Sequence, residues 1–386
     1  MAYQRCSRCI MDNSSDETIR FDSEGHCNYC TEALEEKKRV YFPNAEGKQR
    51  LESMLHKLKS EGAGKPYDCI IGISGGLDSC YLTYLAYKWG LRILAVHIDD
   101  GYDTEISKSN IKKLCEAANI ELRIVAPDQA QYDALTRAFM EAGVPNVAMP
   151  QDNLAVAYLY AAVRETGVKY FLSGANFALE CILQHGNTHS YLDTANIKDI
   201  NRRFGTDRIN KLKLTSFYQR YLFTKLEKVV TLRPLDLVDY NRDRAFAELK
   251  EFCGFEYYGR KHLENILTAF IQLYWFPKKF GVDKRTSHLS SMIVSDQLTR
   301  GEALQLMEQP LYDEKMMEDY IAIIKKRLKL SDADFDRIMA APTHQHTDYR
   351  TDKAGELIRK IRKFFFRNIR KFFFRHSMGD SVNMQS

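Results

Sequence analysis

The chain has 386 residues, 45% of them hydrophobic and 28% charged, with nine cysteines and a formal net charge of +5. That length allows two or three domains with a sizeable core, and no apolar run is long enough to span a bilayer. The polar, cysteine-bearing start MAYQRCSRC does not read as a signal peptide, so the cysteines are expected as thiols or metal ligands in a reducing cytoplasm, not as a disulfide framework.

The charge is unevenly placed. Arg359, Lys360, Arg362, Lys363, Arg367, Arg370, Lys371 and Arg375 stand in one short segment, and without them the balance falls from +5 to −3. The basic excess belongs to the tail, which speaks against a general nucleic-acid-binding body.

Residues 1–35 are too poor in apolar side chains to form a core without a staple. Cys6 and Cys9 form one CxxC pair, Cys27 and Cys30 another, with seventeen residues between the pairs. Four thiolates in two knuckles are the pattern of a closed, structural Zn²⁺ site; an iron–sulfur centre is the rival. Cys69, Cys80, Cys115, Cys181 and Cys253 are scattered among apolar residues and read as small buried hydrophobes. In the segment 36–66, Leu51, Met54, Leu55 and Leu58 recur at helical spacing, which predicts a helical connector.

From 67 to 235 the pattern alternates. YDCIIGI, LRILAVHI, IELRIVA, KYFLSGAN and KVVTLRPL read as strands, the first two as runs buried on both faces. Helices are expected over Leu77–Trp89, over SKSNIKKLCEAAN, and over roughly 128–142 and 152–166. This alternation predicts an α/β fold with a doubly wound parallel sheet, its strand C-terminal ends forming one ligand edge. The segment 236–345 reads as a helical substrate-binding region, and 346–386 as a basic tail.

IIGISGGLDSCYLTYLAY places Ser74, Gly75, Gly76, Asp78 and Ser79 where a buried strand ends and a helix begins. Unpartnered backbone N–H groups and the positive end of the helix dipole attract anions there. The plain alternative is a strand–helix turn using glycine for its geometry. No lysine follows the glycines, so this is not a Walker A loop. Two further clusters fall on the same expected edge: VHIDDGYD with Asp99, and LSGANFALE with Gly174, Asn176 and Glu180, the last two one helical turn apart.

SGGLDS resembles the pyrophosphate (PP) loop of the ATP pyrophosphatase superfamily, which cuts ATP between the α and β phosphates. The resemblance implies that Ser74, Gly75, Gly76, Asp78 and Ser79 hold the leaving pyrophosphate and its Mg²⁺, with Asp99, Gly174 and Asn176 completing the ATP site. It puts adenine and ribose at the VHIDDGYD turn. Asp78, Ser79, Glu180 and Asp152 are the candidate catalytic side chains.

Four features together are similar to the bacterial N-acetyl sugar amidotransferases of lipopolysaccharide and flagellin sugar synthesis. These are the cysteine knuckles, SGGLDS, PQDNLAVAYLYAAVRETGVKYFLSGANFALE and FPKKFGVDKRTSHLSSMI. They run from about Cys6 to Tyr312; Arg260 in YYGRKH stands where a second glycine is expected. The resemblance implies conversion of an acetamido group on a nucleotide-linked sugar to an acetamidino group, through an adenylated imidate and ammonia. It implies a cytoplasmic enzyme, a separate glutaminase as the ammonia source, and a cyclase-like subunit as a candidate conduit. Lys261, His262, Lys278, Lys279, Lys284, Arg285 and His288, interleaved with aromatics, are candidate contacts to an acidic substrate. A tRNA-modifying, thiolation-type enzyme is the alternative reading; a nucleotide-binding scaffold without catalysis is a third.

The tail LIRKIRKFFFRNIRKFFFR repeats IRKFFFR and, wound as a helix, gathers Ile and Phe on one half and Lys and Arg on the other. It is a candidate for peripheral contact with the inner face of the cytoplasmic membrane, or for docking on a partner or on the body itself.

Overall fold

The structure is a computed structural model that describes residues 3–259, 263–353 and 355. In chain order its elements begin with α1 (Asn28–Val40), α2 (Ala45–Gly62), β1 (Cys69–Gly72), α3 (Leu77–Lys88), β2 (Ile93–Ile98), α4 (Glu105–Ala117) and β3 (Glu121–Val125). There follow α5 (Gln129–Glu141), α6 (Met149–Thr166), β4 (Tyr170–Leu172), α7 (Phe177–Glu180), α8 (Thr194–Phe204), α9 (Phe217–Leu226) and β5 (Val230–Leu232). The helical remainder is α10 (Arg242–Cys253), α11 (Ile266–Phe270), α12 (Arg285–Val294), α13 (Arg300–Glu308), α14 (Glu314–Leu328) and α15 (Asp332–Ala340).

The strands form one sheet in the order β3-β2-β1-β4-β5, with every pairing parallel. Alternate side chains of the two central strands feed two cores, as the pleat requires. Cys69, Ile71, Ile93 and Ala95 pack with Cys80 and Leu82 of α3 and Leu114 of α4. Ile70, Leu94 and Val96 face the other way, onto Leu159, Ala162 and Val163 of α6. The continuous apolar runs in the sequence are therefore strands covered on both faces, the condition under which parallel sheets form. A third core, around Trp275, Tyr132, Phe139 and Phe270, joins α5 to the helical region.

All five strands are shorter than the stretches read as strands, β4 and β5 most of all. KYFLSGAN keeps only Tyr170–Leu172 in the ladder, because Ser173–Asn176 leave the sheet edge to form a turn. Helices α8 and α9, between β4 and β5, have no counterpart in the sequence reading. Neither does the winding after α11, where Ile271–Phe280 continues as a π-helix with Pro277 inside it. Proline has no N–H and its ring clashes with the carbonyl four residues back, which favours the wider turn. Residues 346–353, expected as the start of the tail, pack on the body, and the amphipathic repeat lies outside the described residues. His346 and Tyr349 are buried, and Asn196 of α8 donates to the carbonyls of His346 (3.0 Å) and Arg350 (3.3 Å). Among the described residues no helix is long and apolar enough to cross a membrane.

Candidate functional site

The winding of the sheet reverses between β1 and β4, so a crevice opens beyond their C-terminal ends. The turn after β1 is SGGLDS. Gly75 has φ +78°, and a Cβ there would lie 2.5 Å from the Ser107 carbonyl oxygen, so glycine is required on two counts. Two serines tie the turn: Ser79 Oγ accepts from Ser74 N–H (3.2 Å) and donates to the Gly76 carbonyl (3.1 Å). Gly76 caps α3 without a side-chain bond. Leu77 N–H instead donates to the Tyr258 hydroxyl at 2.8 Å.

The turn after β4 lies against this loop. A Cβ on Gly174 would sit 3.1 Å from Ser79 N, so any side chain there would push the two turns apart by a few tenths of an ångström. Asn176 is fully buried and caps α7, accepting from Leu179 N–H at 2.9 Å and donating to the Gly174 carbonyl at 3.1 Å. It shapes the turn and does not line the cavity, whereas Glu180, one turn on, does.

That cavity holds about 550 Å³. The two turns contribute Ser74, Gly76, Asp78, Ser79, Gly174 and Glu180 to its lining, here called the floor, and the start of α12 contributes Lys284, Arg285 and His288. Arg242, Tyr257, Tyr258, Glu264 and Gln272 close the sides. Burial pushes the Lys284 ammonium down to about 8, and its Nζ stands 4.7 Å over the Phe276 ring. Arg285 is a tie as well as a wall. It forks onto Asp283 (2.7 Å) and donates to the Gln309 carbonyl (2.8 Å), fastening α12 to the segment after α13.

Other expected site residues lie elsewhere. Asp99 is on the same sheet edge but outside the cavity, accepting from Gly101 N–H at 2.9 Å. The β2 end is occupied by its own buried network. Asp100 accepts from Gln151 (2.6 Å) and Asn265 (3.1 Å), and burial pushes its carboxyl up to about 6. His97 Nδ1 donates to the Ile73 carbonyl (2.9 Å), and its Nε2 lies 3.1 Å from Asp103. Burial would lower this imidazole, but Asp103 and the carbonyl together raise it. Asp152 is exposed on the first turn of α6, outside the cavity lining. Lys279 donates to the carbonyls of Ile338 (2.6 Å) and Ala341 (2.9 Å) at the end of α15. Lys278 stands over Tyr274. Neither lysine lines the cavity, whereas Gln272 and Leu273 of the same π-helix do. Lys261 and His262, like Arg260, lie outside the described residues.

The four N-terminal cysteines are fully buried, and their sulfurs lie within 4.8 Å of one another. Cys6 and Cys30 are 3.7 Å apart and Cys9 and Cys27 3.6 Å. Bonds of about 2.3 Å to one tetrahedral ion set sulfur–sulfur edges of about 3.8 Å, so the site fits Zn²⁺. The N–H groups of Cys9 and Cys27 point at Cys6 Sγ (3.4 and 3.2 Å), which stabilises thiolate charge. The module is fastened to the cavity wall. Arg300 donates to the carbonyls of Cys6 and Cys9, both at 3.1 Å, and Ile10 N–H donates to Ser290 on α12 at 3.2 Å. Metal analysis of the purified protein is expected to give about one Zn per chain. Cys9→Ser should lower the melting temperature by several degrees. Iron with inorganic sulfide, or a metal-free protein of unchanged stability, would refute this.

Sequence reasoning passed over Glu264, Arg242, Gln272 and Tyr240. Glu264 meets the loop closely: a Cβ on Gly76 would lie 2.6 Å from its Oε1. Tyr240 is buried and its hydroxyl donates to the Asp78 carboxylate. A lone Tyr in VDYNRDR carries no signal in sequence, since what matters is which loop the fold lays it beside. Tyr258 lay within a stretch singled out for its aromatics, but its bond to the loop was not foreseeable.

Residues 68–174 match the family described as queuosine biosynthesis protein QueC, and residues 264–363 match the LPS biosynthesis protein WbpG-like, C-terminal domain. The first span contains the SGGLDS loop; the second contains Glu264, Lys284, Arg285 and His288. No curated protein matches the chain. Among solved structures, NMN synthetase from Francisella tularensis is 14% identical, covering 74% of this chain and 97% of that one, with a TM-score of 0.34. The NH3-dependent NAD synthetase from Campylobacter jejuni, in complex with nitrate, is 12% identical over 77% and 98%, with a TM-score of 0.34. The U34-tRNA thiolase NcsA from Methanococcus maripaludis, with its 4Fe–4S cluster, is 13% identical over 84% and 89%, with a TM-score of 0.33.

Proposed function

From a PP-loop ATP pyrophosphatase domain joined to a WbpG-like C-terminal domain, we propose an ATP-dependent, AMP- and pyrophosphate-forming N-acetyl sugar amidotransferase. One observation carries the reading. The loop suited to a leaving pyrophosphate and the cationic start of α12 line one and the same cavity of about 550 Å³. The loop suits a triphosphate and the start of α12 an anionic, nucleotide-linked sugar.

An amide oxygen is a poor leaving group. In the proposed reaction the acetamido oxygen attacks the α-phosphorus and pyrophosphate departs, leaving an O-adenylyl imidate. Ammonia adds to the imidate carbon, the C–O bond to AMP breaks, and a carbon–nitrogen double bond remains as the amidine. Backbone N–H groups at the start of α3, with Ser74 and Ser79, receive the pyrophosphate charge. Asp78 would hold Mg²⁺, which when bound neutralises the departing phosphates. The apolar lining around Leu289 and Met292 keeps water from the imidate. Ammonia comes in this reading from a separate glutaminase subunit.

The thiolation alternative needs a reactive sulfur at the site. Cys181 is the cysteine next to Glu180, but burial pushes its thiol up to about 12, and it lies 3.8 Å from the Ser291 carbonyl. It is poorly suited to act as a thiolate at neutral pH.

The test is incubation with ATP, Mg²⁺, a diacetamido uronic acid nucleotide sugar and ammonium salt, following AMP and product mass. The expected product has NH in place of one acetamido oxygen, with one AMP per product. AMP release that depends on tRNA and not on the sugar would overturn the proposal. Tyr240→Phe removes the hydroxyl that orients Asp78. A hydrogen bond to a charged group is worth about 1.5–3 kcal/mol, so kcat should fall about tenfold or more. The Mg²⁺ concentration for half-maximal rate should rise with it, which mere loosening of the fold would not produce.

A further inference from the structure

Part of the cavity lining has no task in the proposed chemistry. Helix α10 contributes Arg242, Asp243 and Phe246 to it, and the segment after that helix contributes Tyr257 and Tyr258. The helix is well fixed. Asn241 caps it, accepting from Arg244 N–H at 3.0 Å, and Glu248 accepts from the Tyr81 hydroxyl of α3 at 3.3 Å. Arg242 and Phe246 are one helical turn apart, so they share a face.

The three rings form a row. Phe246 and Tyr257 have centroids 5.6 Å apart and Tyr257 and Tyr258 5.3 Å, with planes tilted by 55° and 38°. At those tilts no ring is stacked face to face on its neighbour in the row, and all three are only half-buried. Tyr258 ends the row at the SGGLDS turn, where its hydroxyl accepts from Leu77 N–H. Arg242 Nε donates to Asp243 at 2.9 Å. Unlike the cationic start of α12, this pair has no net charge. Burial pushes the Tyr257 hydroxyl up, and the charges of Arg242 and Asp243 act on it too, which places the pair beside that ring.

We infer that Phe246, Tyr257 and Tyr258, with Arg242 and Asp243, form a nucleobase subsite; this rests on the reading that the cavity takes nucleotides. A nucleobase is the flat, uncharged part of a nucleotide, and every base offers a face for aromatic stacking. Its edge sets donors beside acceptors. The Asp243 carboxylate accepts from a base N–H, and the Arg242 guanidinium donates to a ring nitrogen or carbonyl. A phosphate or uronate gains nothing from a neutral pair beside apolar rings, and the loop and α12 already serve those groups. ATP and a nucleotide-linked sugar each carry a base, and the test separates the two.

The test is isothermal titration of the full chain, with Mg²⁺, against ATP, GDP, CDP and UDP. Inorganic tripolyphosphate and glucose phosphate are the base-free controls. At least one nucleotide should bind more tightly than either control. Tyr257→Leu and Phe246→Leu keep apolar bulk but remove the ring, and each should weaken that nucleotide about tenfold or more while sparing tripolyphosphate. Asp243→Asn should weaken the same nucleotide with an unchanged thermal transition, because the side chain is exposed. Loss of ATP assigns the subsite to adenine; loss of a nucleoside diphosphate assigns it to the base of the nucleotide-linked sugar. The inference is overturned if both ring variants bind every nucleotide as the parent does, or if they lose tripolyphosphate equally. It is also overturned if glucose phosphate binds as tightly as the nucleotides, or if the parent binds no nucleotide. Base-dependent binding without amidine formation would remove the proposed function and leave the subsite standing.

Discussion

Asp78→Ala and Ser79→Ala should each lower AMP release by on the order of a thousandfold, with the fold intact. The magnitude follows from where the two side chains stand. Ser79 ties the loop to itself through Ser74 and Gly76, and both residues line the cavity floor. Charge on the departing pyrophosphate develops at this floor, where the Ser79 hydroxyl would donate to it and Asp78 would hold the Mg²⁺ that neutralises it, in a partly enclosed site that needs no reorganisation. Neither substitution opens a core cavity, because Asp78 and Ser79 are only partly buried. The measurement is pyrophosphate and AMP release under saturating ATP, with circular dichroism as the fold control. Turnover within a few-fold of the parent in both variants would remove the pyrophosphatase reading and the amidotransferase proposal with it.

Raising the pH through about 8 should weaken binding of the anionic sugar while leaving ATP binding nearly unchanged. Burial holds the Lys284 ammonium at about 8, below the ordinary lysine range. Below that pH the group is charged and attracts an anion; above it the charge is lost, so KM for the sugar should climb. Lys284→Met should raise that KM about ten- to a hundredfold at neutral pH and flatten the climb. Lys284→Arg keeps its charge throughout and should also flatten the profile, with a smaller rise, because a guanidinium does not fit the ammonium's place over Phe276. Arg285→Ala is a less clean probe, since Arg285 also fastens α12 to the Gln309 carbonyl. If the Lys284 variants raise KM for ATP and spare the sugar, this side of the cavity belongs to the nucleotide.

The sequence by itself determined the parts that short-range patterns encode. Continuous apolar runs of four to six residues specify strands covered on both faces, and those of β1 and β2 could be read directly. The SGGLDS turn and the two CxxC knuckles are local chemistry: backbone geometry, hydroxyls and thiols at fixed spacing. The tertiary structure alone decided which distant residues share a cavity. Lys278, Lys279, Lys284 and Arg285 are equivalent as charges in FPKKFGVDKR. In the fold Lys279 is spent on the carbonyls at the end of α15, while Lys284 and Arg285 line the cavity. Asn176 reads as a ligand yet is consumed as a helix cap, and Asp99 shares the sheet edge but misses the crevice between β1 and β4. Tyr240 and Tyr258 reach the loop from 162 and 181 residues away. A side chain's role at a site depends on what packs against it, and long-range packing leaves no periodic trace in the chain.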